Sequence, residues 1–167
     1  AKGIITTETI KAIQEVARPD TIIALDPKPR PSISYTGLSV MTPNRSEAIK
    51  LAGITEEDYK EFPAEIVCKR IYEKYAPENL IVTLGADGML LSEKGEVISK
   101  VPTYAREVFD VSGAGDTVIA SLCVALATGA SMLDAIHFAN TAAGFVVGKI
   151  GTATATPDDI IAYASHK

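Results

Sequence analysis

Apolar positions along the chain follow two different spacings. Stretches with an apolar residue at every third or fourth position predict amphipathic helices, and short apolar runs bounded by Gly, Pro, Asn or Asp predict strands. The predicted helices cover residues 7–17, 45–52, 63–75, 116–127, 132–149 and 157–164. The predicted strands cover residues 21–25, 38–41, 79–83, 89–91 and 96–99, and the last two are expected to pair with each other.

Strands that alternate with helices predict an α/β domain. We expect a three-layer architecture, with a largely parallel sheet and helices on both of its faces, and we expect residues 1–167 to form a single domain. In such sheets ligands bind at the carboxyl ends of the strands. Asp26, Lys28, Asn44 and Thr83 each follow or end a predicted strand. The sequence therefore predicts that polar side chains gather at one edge of the sheet.

Composition narrows the function classes. The chain has 167 residues, 47% of them hydrophobic, and a net charge of −5. Since no run of Lys and Arg is longer than two residues, we expect neither a nucleic-acid partner nor a membrane surface. We expect neither a signal peptide nor a membrane-spanning segment, and therefore a cytoplasmic location. Cys68 and Cys123 lie in apolar helical patterns, which predicts buried free thiols in a reducing compartment.

Residues 110–116, Asp-Val-Ser-Gly-Ala-Gly-Asp, come directly before a predicted helix. A glycine-rich turn at the start of a helix presents free N–H groups at the positive end of the helix dipole, which suits a phosphate or a developing oxyanion. Gly113, Ala114 and Gly115 lie in this turn. Asp116 would repel a phosphate, but it could accept a proton from a hydroxyl that attacks one. The alternative is a tight turn with a capping aspartate.

Residues 44–47 begin another predicted helix. Asn44 and Glu47 have the spacing of a capping box, which is a structural explanation. The functional alternative is that Asn44, Arg45, Ser46 and Glu47 serve a magnesium–nucleotide complex, with Glu47 holding the ion through water. One set of residues can do both. Lys28, just past a buried strand, is a candidate phosphate partner, the alternative being a solvated charge.

Two further stretches have a structural and a functional interpretation. Thr83, Gly85 and Gly88 lie in a segment that is either a hairpin turn or a nucleotide-binding loop, and it is neither a Walker A motif nor a dinucleotide fingerprint. Asn140 lies among small residues that either pack two helices tightly or leave room for an adenine ring. His137 is predicted to be structural, and Lys2 is predicted to be a solvated surface charge. His166 is predicted to lie in a fraying tail.

Four motifs in order make the chain similar to a known family. They are Asp-Pro-Lys at residues 26–28, Thr-Pro-Asn-Arg-Ser-Glu at 42–47, Val-Thr-Leu-Gly-Ala-Asp-Gly at 82–88 and the segment at 110–116. Together they resemble the ribokinase (PfkB) family of carbohydrate kinases.

The resemblance implies a role for each candidate residue. Asp116 would be the general base, and the amides of residues 113–115 would form the anion hole. Residues 44–47 would serve ATP and Mg²⁺, with Glu47 towards the metal. Thr83, Gly85 and Gly88 would border the nucleotide, and Asn140 the adenine.

Two stretches, residues 107–119 and 138–152, most closely resemble the heptose-phosphate kinases of that family. This implies ATP-dependent conversion of heptose 7-phosphate to heptose 1,7-bisphosphate, a step towards ADP-heptose and the lipopolysaccharide core. Two alternatives stay open: a kinase for another sugar or small alcohol, and a nucleotide-binding module without turnover.

The chain departs from the family at its beginning. Family members start with a half that carries a double-glycine sugar motif and a small β-lid, and neither is found here. We therefore expect a ribokinase-like domain truncated at its N-terminus, with one edge of the sheet open. An open edge favours pairing with another chain, so a homo-oligomer through this edge is expected.

Overall fold

The computed structural model describes residues 4–55 and 59–165, and Lys2 and His166 lie outside them. Its helices are α1 (Thr7–Val16), α2 (Arg45–Ala52), α3 (Ala64–Tyr75), α4 (Ala114–Ala127), α5 (Met132–Val147) and α6 (Pro157–Ser165). Its strands are β1 (Ala24–Leu25), β2 (Val40–Met41), β3 (Asn79–Thr83), β4 (Met89–Glu93) and β5 (Glu96–Val101). Every predicted element is present, and the helix bounds differ from prediction by at most two residues.

The five described strands form one sheet in the order β1-β2-β3-β4-β5. Strands β1, β2 and β3 are parallel, whereas β4 pairs antiparallel with both β3 and β5. The predicted α/β class and the pairing of β4 with β5 are confirmed, and the sheet is mixed. The reason is connection length: residues 84–88 and 94–95 are too few for the crossover that a parallel pair needs.

Two hydrophobic cores cover opposite faces of the sheet, as the three-layer prediction requires. On one face Met41, Leu80 and Val82 pack with residues of α1, α2 and α3. On the other face Val40, Ile81 and Leu91 pack with residues of α4 and α5. Neighbouring residues of each strand alternate between the two cores because successive strand side chains point to opposite faces.

Strands β1 and β2 are two residues long, shorter than the predicted runs at 21–25 and 38–41. The backbone N–H of Ile23 donates to the side-chain oxygen of Ser39 at 3.1 Å rather than to a ladder carbonyl. A side chain that accepts a ladder donor interrupts regular pairing. Strand β1 is the outer strand at this side of the described sheet, so one of its sides carries no strand partner.

The two cysteines are free, as predicted. Cys68 is buried, whereas Cys123 is only half-buried, and burial raises the pKa of both thiols. His137 is held by a 2.7 Å hydrogen bond between its Nδ1 and the hydroxyl of Tyr104, in line with a structural role. None of the helices in the described part of the chain is both long enough and apolar enough to cross a bilayer.

Candidate active site

The glycine-rich turn leads directly into α4. Gly113 is the N-cap of α4 with a φ of +81°, a left-handed conformation that favours glycine. Asp116 lies in the first turn of α4 and is exposed. The first N–H groups of a helix have no acceptor within it, so they face outwards next to this carboxylate. One predicted donor needs correction: the N–H of Ala114 already donates to the carbonyl of Val111 at 3.2 Å.

Helix α2 begins with the capping box that the spacing predicted. The Asn44 side chain accepts a hydrogen bond from the Glu47 N–H at 3.0 Å, and Glu47 Oε2 accepts one from the Asn44 N–H at 2.9 Å. The structural interpretation of this pair is therefore confirmed. It leaves the second carboxylate oxygen of Glu47, Oε1, available for another partner.

That partner is Lys28. Its Nζ lies 2.7 Å from Glu47 Oε1 and 3.0 Å from Asp26 Oδ2, so one ammonium bridges two carboxylates. We call Asp26, Lys28 and Glu47 the carboxylate–lysine cluster. The side chain of Lys28 is 58% exposed, against 22% for Asp26 and 13% for Glu47. Lys28 is therefore neither a free surface charge nor, in this structure, turned to a separate phosphate site.

Asp26 connects the cluster to the glycine-rich turn. A Cβ placed on Gly115 would lie 4.0 Å from Asp26 Oδ2. The pKa of Asp26 is raised, mainly by burial of its carboxyl. The negative charges of Glu47 and Asp116 raise this pKa further, whereas Lys28 acts in the opposite direction. Asp116 thus belongs to the same electrostatic neighbourhood. Asp26 was predicted to lie at this edge of the sheet because it follows a strand, but it was not among the residues assigned a role in the site.

The segment from Thr83 to Gly88 is a closed turn. The N–H of Gly88 donates to the Gly85 carbonyl at 3.0 Å, and the N–H of Leu84 donates to the Gly88 carbonyl at 2.8 Å. Gly88 is buried with a φ of +87°, and a Cβ there would lie 2.0 Å from the carbonyl oxygen of Val101. Gly88 is therefore required by packing, and its amide is not presented to a ligand. Gly85 is exposed with open space around it.

Thr83 and Asn44 are brought together by the parallel bridge between their strands. The N–H of Thr83 donates to the Pro43 carbonyl at 3.0 Å. This bridge places the end of β3 beside the capping box, at the edge where Asp26 ends β1. The predicted gathering of strand-end residues is thus present for Asp26, Lys28, Asn44 and Thr83.

The side-chain amide of Asn140 is bonded at both of its ends. It is 3% exposed, its side-chain nitrogen donates to the Pro102 carbonyl at 2.7 Å, and its side-chain oxygen accepts from the Tyr104 N–H at 3.4 Å. Both ends of the amide are engaged in tying α5 to the segment after β5. The structural interpretation fits these contacts, and the side chain is not available at an adenine edge here.

Arg45 and Ser46 are the first two residues of α2. The guanidinium of Arg45 lies 5.7 Å from the centroid of the Phe62 ring. Arg45 also lines a cavity of about 400 Å³ on the α2 and α3 side, to which Lys60, Leu84 and Lys100 contribute as well. Ser46 is half-buried in the first turn of α2. Asp116 is not among the residues that line this cavity.

The donor set can be tested against a magnesium ion. The described residues include no group of three or more His, Cys, Asp or Glu side chains arranged to hold a metal. Magnesium usually takes one or two carboxylates and completes its shell with water and substrate phosphates. Glu47 and Asp26 are two such carboxylates, already assembled around a cation. Thr42, at the end of β2, also has a buried hydroxyl without a described partner. These residues fit a magnesium–nucleotide complex.

Comparison with known proteins defines the class. A family model described as pfkB family carbohydrate kinase matches residues 5–159. The chain is 41% identical over 161 residues to the bifunctional protein HldE of Pelobacter propionicus and 41% identical over 164 residues to that of Geobacter sulfurreducens. Each match covers 96% of this chain but only 33% and 32% of the relative. The chain belongs to the pfkB family of carbohydrate kinases.

Solved structures of ribokinases have a similar fold. A ribokinase from Thermotoga maritima superposes with a TM-score of 0.81 at 27% identity, over 98% of this chain and 55% of the ribokinase. A ribokinase from Arabidopsis thaliana, solved in complex with ribose and ATP, superposes with a TM-score of 0.76 at 25% identity, over 94% of this chain and 51% of that one. The fold is therefore ribokinase-like, and the chain spans about half of these structures and a third of its curated relatives.

Proposed function

We propose that this chain carries the nucleotide site and catalytic base of a carbohydrate kinase that phosphorylates heptose 7-phosphate to heptose 1,7-bisphosphate with ATP. The observation that carries the proposal is the exposed carboxylate of Asp116, in the first turn of α4 and within electrostatic reach of the carboxylate–lysine cluster. The heptose substrate is supported by the 41% identity to the HldE proteins and by the resemblance of residues 107–119 and 138–152 to heptose-phosphate kinases. The product would feed ADP-heptose and lipopolysaccharide core synthesis.

Each group would act at a stated atom. Asp116 takes the proton from the acceptor hydroxyl, whose oxygen then forms a bond to the γ-phosphorus of ATP as the bond to the β–γ bridging oxygen breaks. The outward N–H groups at the start of α4, including that of Gly115, stabilise the charge on the transferring phosphoryl group. Glu47 and Asp26 would hold a magnesium ion through water, and this ion, when bound, neutralises phosphate charge.

The test is ATP-dependent phosphorylation of heptose 7-phosphate by the chain and by its D116N variant. Loss of a positioned base lowers kcat by about 10²-fold or more. Asp158→Asn is the matched control, because Asp158 is an exposed carboxylate in the first turn of α6. Equal rates for D116N and the parent chain would refute the base.

A chain that binds Mg-ATP without turnover would favour the second candidate, a nucleotide-binding module. Calorimetry with Mg-ATP beside the turnover assay separates the two functions. If ribose or fructose is phosphorylated faster than heptose 7-phosphate, the sugar assignment is wrong while the kinase assignment stands.

A further inference from the structure

The carboxylate–lysine cluster contains one carboxylate, that of Glu47, which is held independently of the lysine. Glu47 is fixed because its Oε2 is held by the Asn44 N–H at 2.9 Å. Asp26 is half-buried beside the glycine-rich turn. Among the described contacts, the Lys28 side chain is held by its Nζ, and 58% of that side chain is exposed. Glu47 would therefore stay in place if the ammonium left.

We propose that Lys28 is an exchangeable internal cation: its ammonium occupies the space between Asp26 and Glu47 until Mg-ATP arrives, and it then moves to the nucleotide phosphates. The proposal rests on the proposed function, and it gives Lys28 two roles. Lys28 competes with the metal for the two carboxylates, and it contacts the phosphates of the nucleotide.

Charge and mobility support the exchange. Without Lys28, three carboxylates, those of Asp26, Glu47 and Asp116, would repel each other and an incoming triphosphate, since the charges of Glu47 and Asp116 already disfavour ionised Asp26. The ammonium compensates this repulsion. Because 58% of the Lys28 side chain is exposed, water can solvate the ammonium as it leaves the two carboxylates. Lysine is also a flexible point-charge partner for phosphate, which allows one side chain to serve both positions.

The route between the two positions is short. Asp26 Oδ2, which accepts from Lys28 at 3.0 Å, lies 4.0 Å from the Cβ position of Gly115. The outward N–H groups at the start of α4 are the anion-binding end of that helix. A phosphate bound there would lie within reach of the Lys28 side chain after rotation about its own bonds. The carboxylates that Lys28 leaves are then open to the metal.

The first arm of the test uses Mn²⁺ alone, with binding measured by electron paramagnetic resonance of the free ion. Lys28→Met and Lys28→Gln remove the competing charge, so each should bind Mn²⁺ about two- to fivefold more tightly than the parent chain. Lys28→Arg keeps the charge and should bind Mn²⁺ like the parent chain. The control is Lys69→Met, an exposed lysine on α3, which should change nothing. Unchanged or weaker Mn²⁺ binding by both neutral variants would overturn the proposal.

The second arm uses Mg-ATP in calorimetry. The neutral variants should bind it about tenfold more weakly, because a charge-assisted contact to phosphate is lost. Exchange predicts tighter Mn²⁺ binding together with weaker Mg-ATP binding in the neutral variants, and a merely structural lysine would not produce this combination. Tighter or unchanged binding of Mg-ATP would also overturn the proposal. If the parent chain binds Mn²⁺ but not Mg-ATP, the proposed function fails, while the Mn²⁺ arm still decides whether Lys28 competes with a cation.

Discussion

Two glycine-rich turns, at residues 85–88 and 113–116, look alike in sequence and differ in what their backbones do. In the first, Gly88 donates to Gly85 and packs against the Val101 carbonyl, so the turn is closed and buried at one end. In the second, Gly113 starts α4, and the helix's first N–H groups point outwards beside the exposed Asp116. The first turn joins two strands, and the second presents donors.

The difference shows that glycine content alone does not mark a ligand-binding loop. What separates the two turns is where their N–H groups go. A hairpin turn uses them to close itself, whereas a helix N-terminus leaves them unpaired by geometry. Candidate nucleotide loops in this fold are therefore better ranked by unpaired donors than by glycine count.

Adding one methyl group to each turn tests whether the two turns differ in this way. Gly88→Ala places a Cβ 2.0 Å from the Val101 carbonyl oxygen at a φ of +87°, and we expect about 3 kcal/mol or more of destabilisation. Gly115→Ala meets only Asp26 Oδ2 at 4.0 Å and lies in a helix, where alanine is favoured over glycine by about 0.5–1 kcal/mol. Urea denaturation monitored by circular dichroism measures both.

Gly85→Ala is the control within the first turn. Its φ is +61° with open space around the Cβ position, so it should lose only about 1–2 kcal/mol, from the left-handed backbone alone. Similar losses for Gly85→Ala and Gly88→Ala would show that backbone conformation, rather than the contact with Val101, decides the packing role. A large loss of stability in Gly115→Ala would contradict the open character of the second turn.

The start of α2 combines structure and chemistry, and two substitutions separate them. Asn44→Ala removes the cap and should lower the free energy of unfolding by about 1 kcal/mol. Glu47→Gln keeps the capping-box geometry, which glutamine also satisfies, and removes the charge that holds Lys28. We therefore expect a smaller loss of stability for E47Q but a weaker affinity for Mg-ATP. Unfolding and calorimetry on both variants test this, and equal Mg-ATP affinity in E47Q and the parent chain would confine Glu47 to capping.

Sequence reasoning worked best where local rules decide the outcome. Helix bounds followed from periodicity and caps, as at Asn44, whose side chain accepts from the Glu47 N–H at 3.0 Å. It worked less well where a tertiary contact decides. The shortening of β1 depends on the Ser39 side chain taking the Ile23 N–H, sixteen residues away. No local pattern contains that bond.

The same limit applies to the site. The order of the motifs predicted which strand ends meet. It did not predict that Lys28 bridges Asp26 and Glu47, and Glu47 lies 19 residues from Lys28 along the chain. Asn140 looked like a ligand residue because small residues surround it. Its amide is in fact used by Pro102 and Tyr104, a contact across the fold that spacing along one helix does not reveal.

The smallest expected effect concerns Asp26 and its dependence on pH. Its pKa is raised in the folded chain, mainly by burial, so ionised Asp26 disfavours folding. The favourable contribution of a raised pKa is present below the unfolded pKa and is lost as pH rises through the folded one. Asp26→Asn keeps the group neutral at every pH. At pH 7 we expect its Tm to exceed that of the parent chain by no more than about 3 °C, with the difference shrinking as pH falls towards 3.5. Mg-ATP binding should weaken in the same variant, because one candidate metal carboxylate is gone. Thermal melts of both proteins from pH 3.5 to 8 measure the difference; a lower Tm for D26N at pH 7 would mean that the Lys28 ion pair outweighs burial.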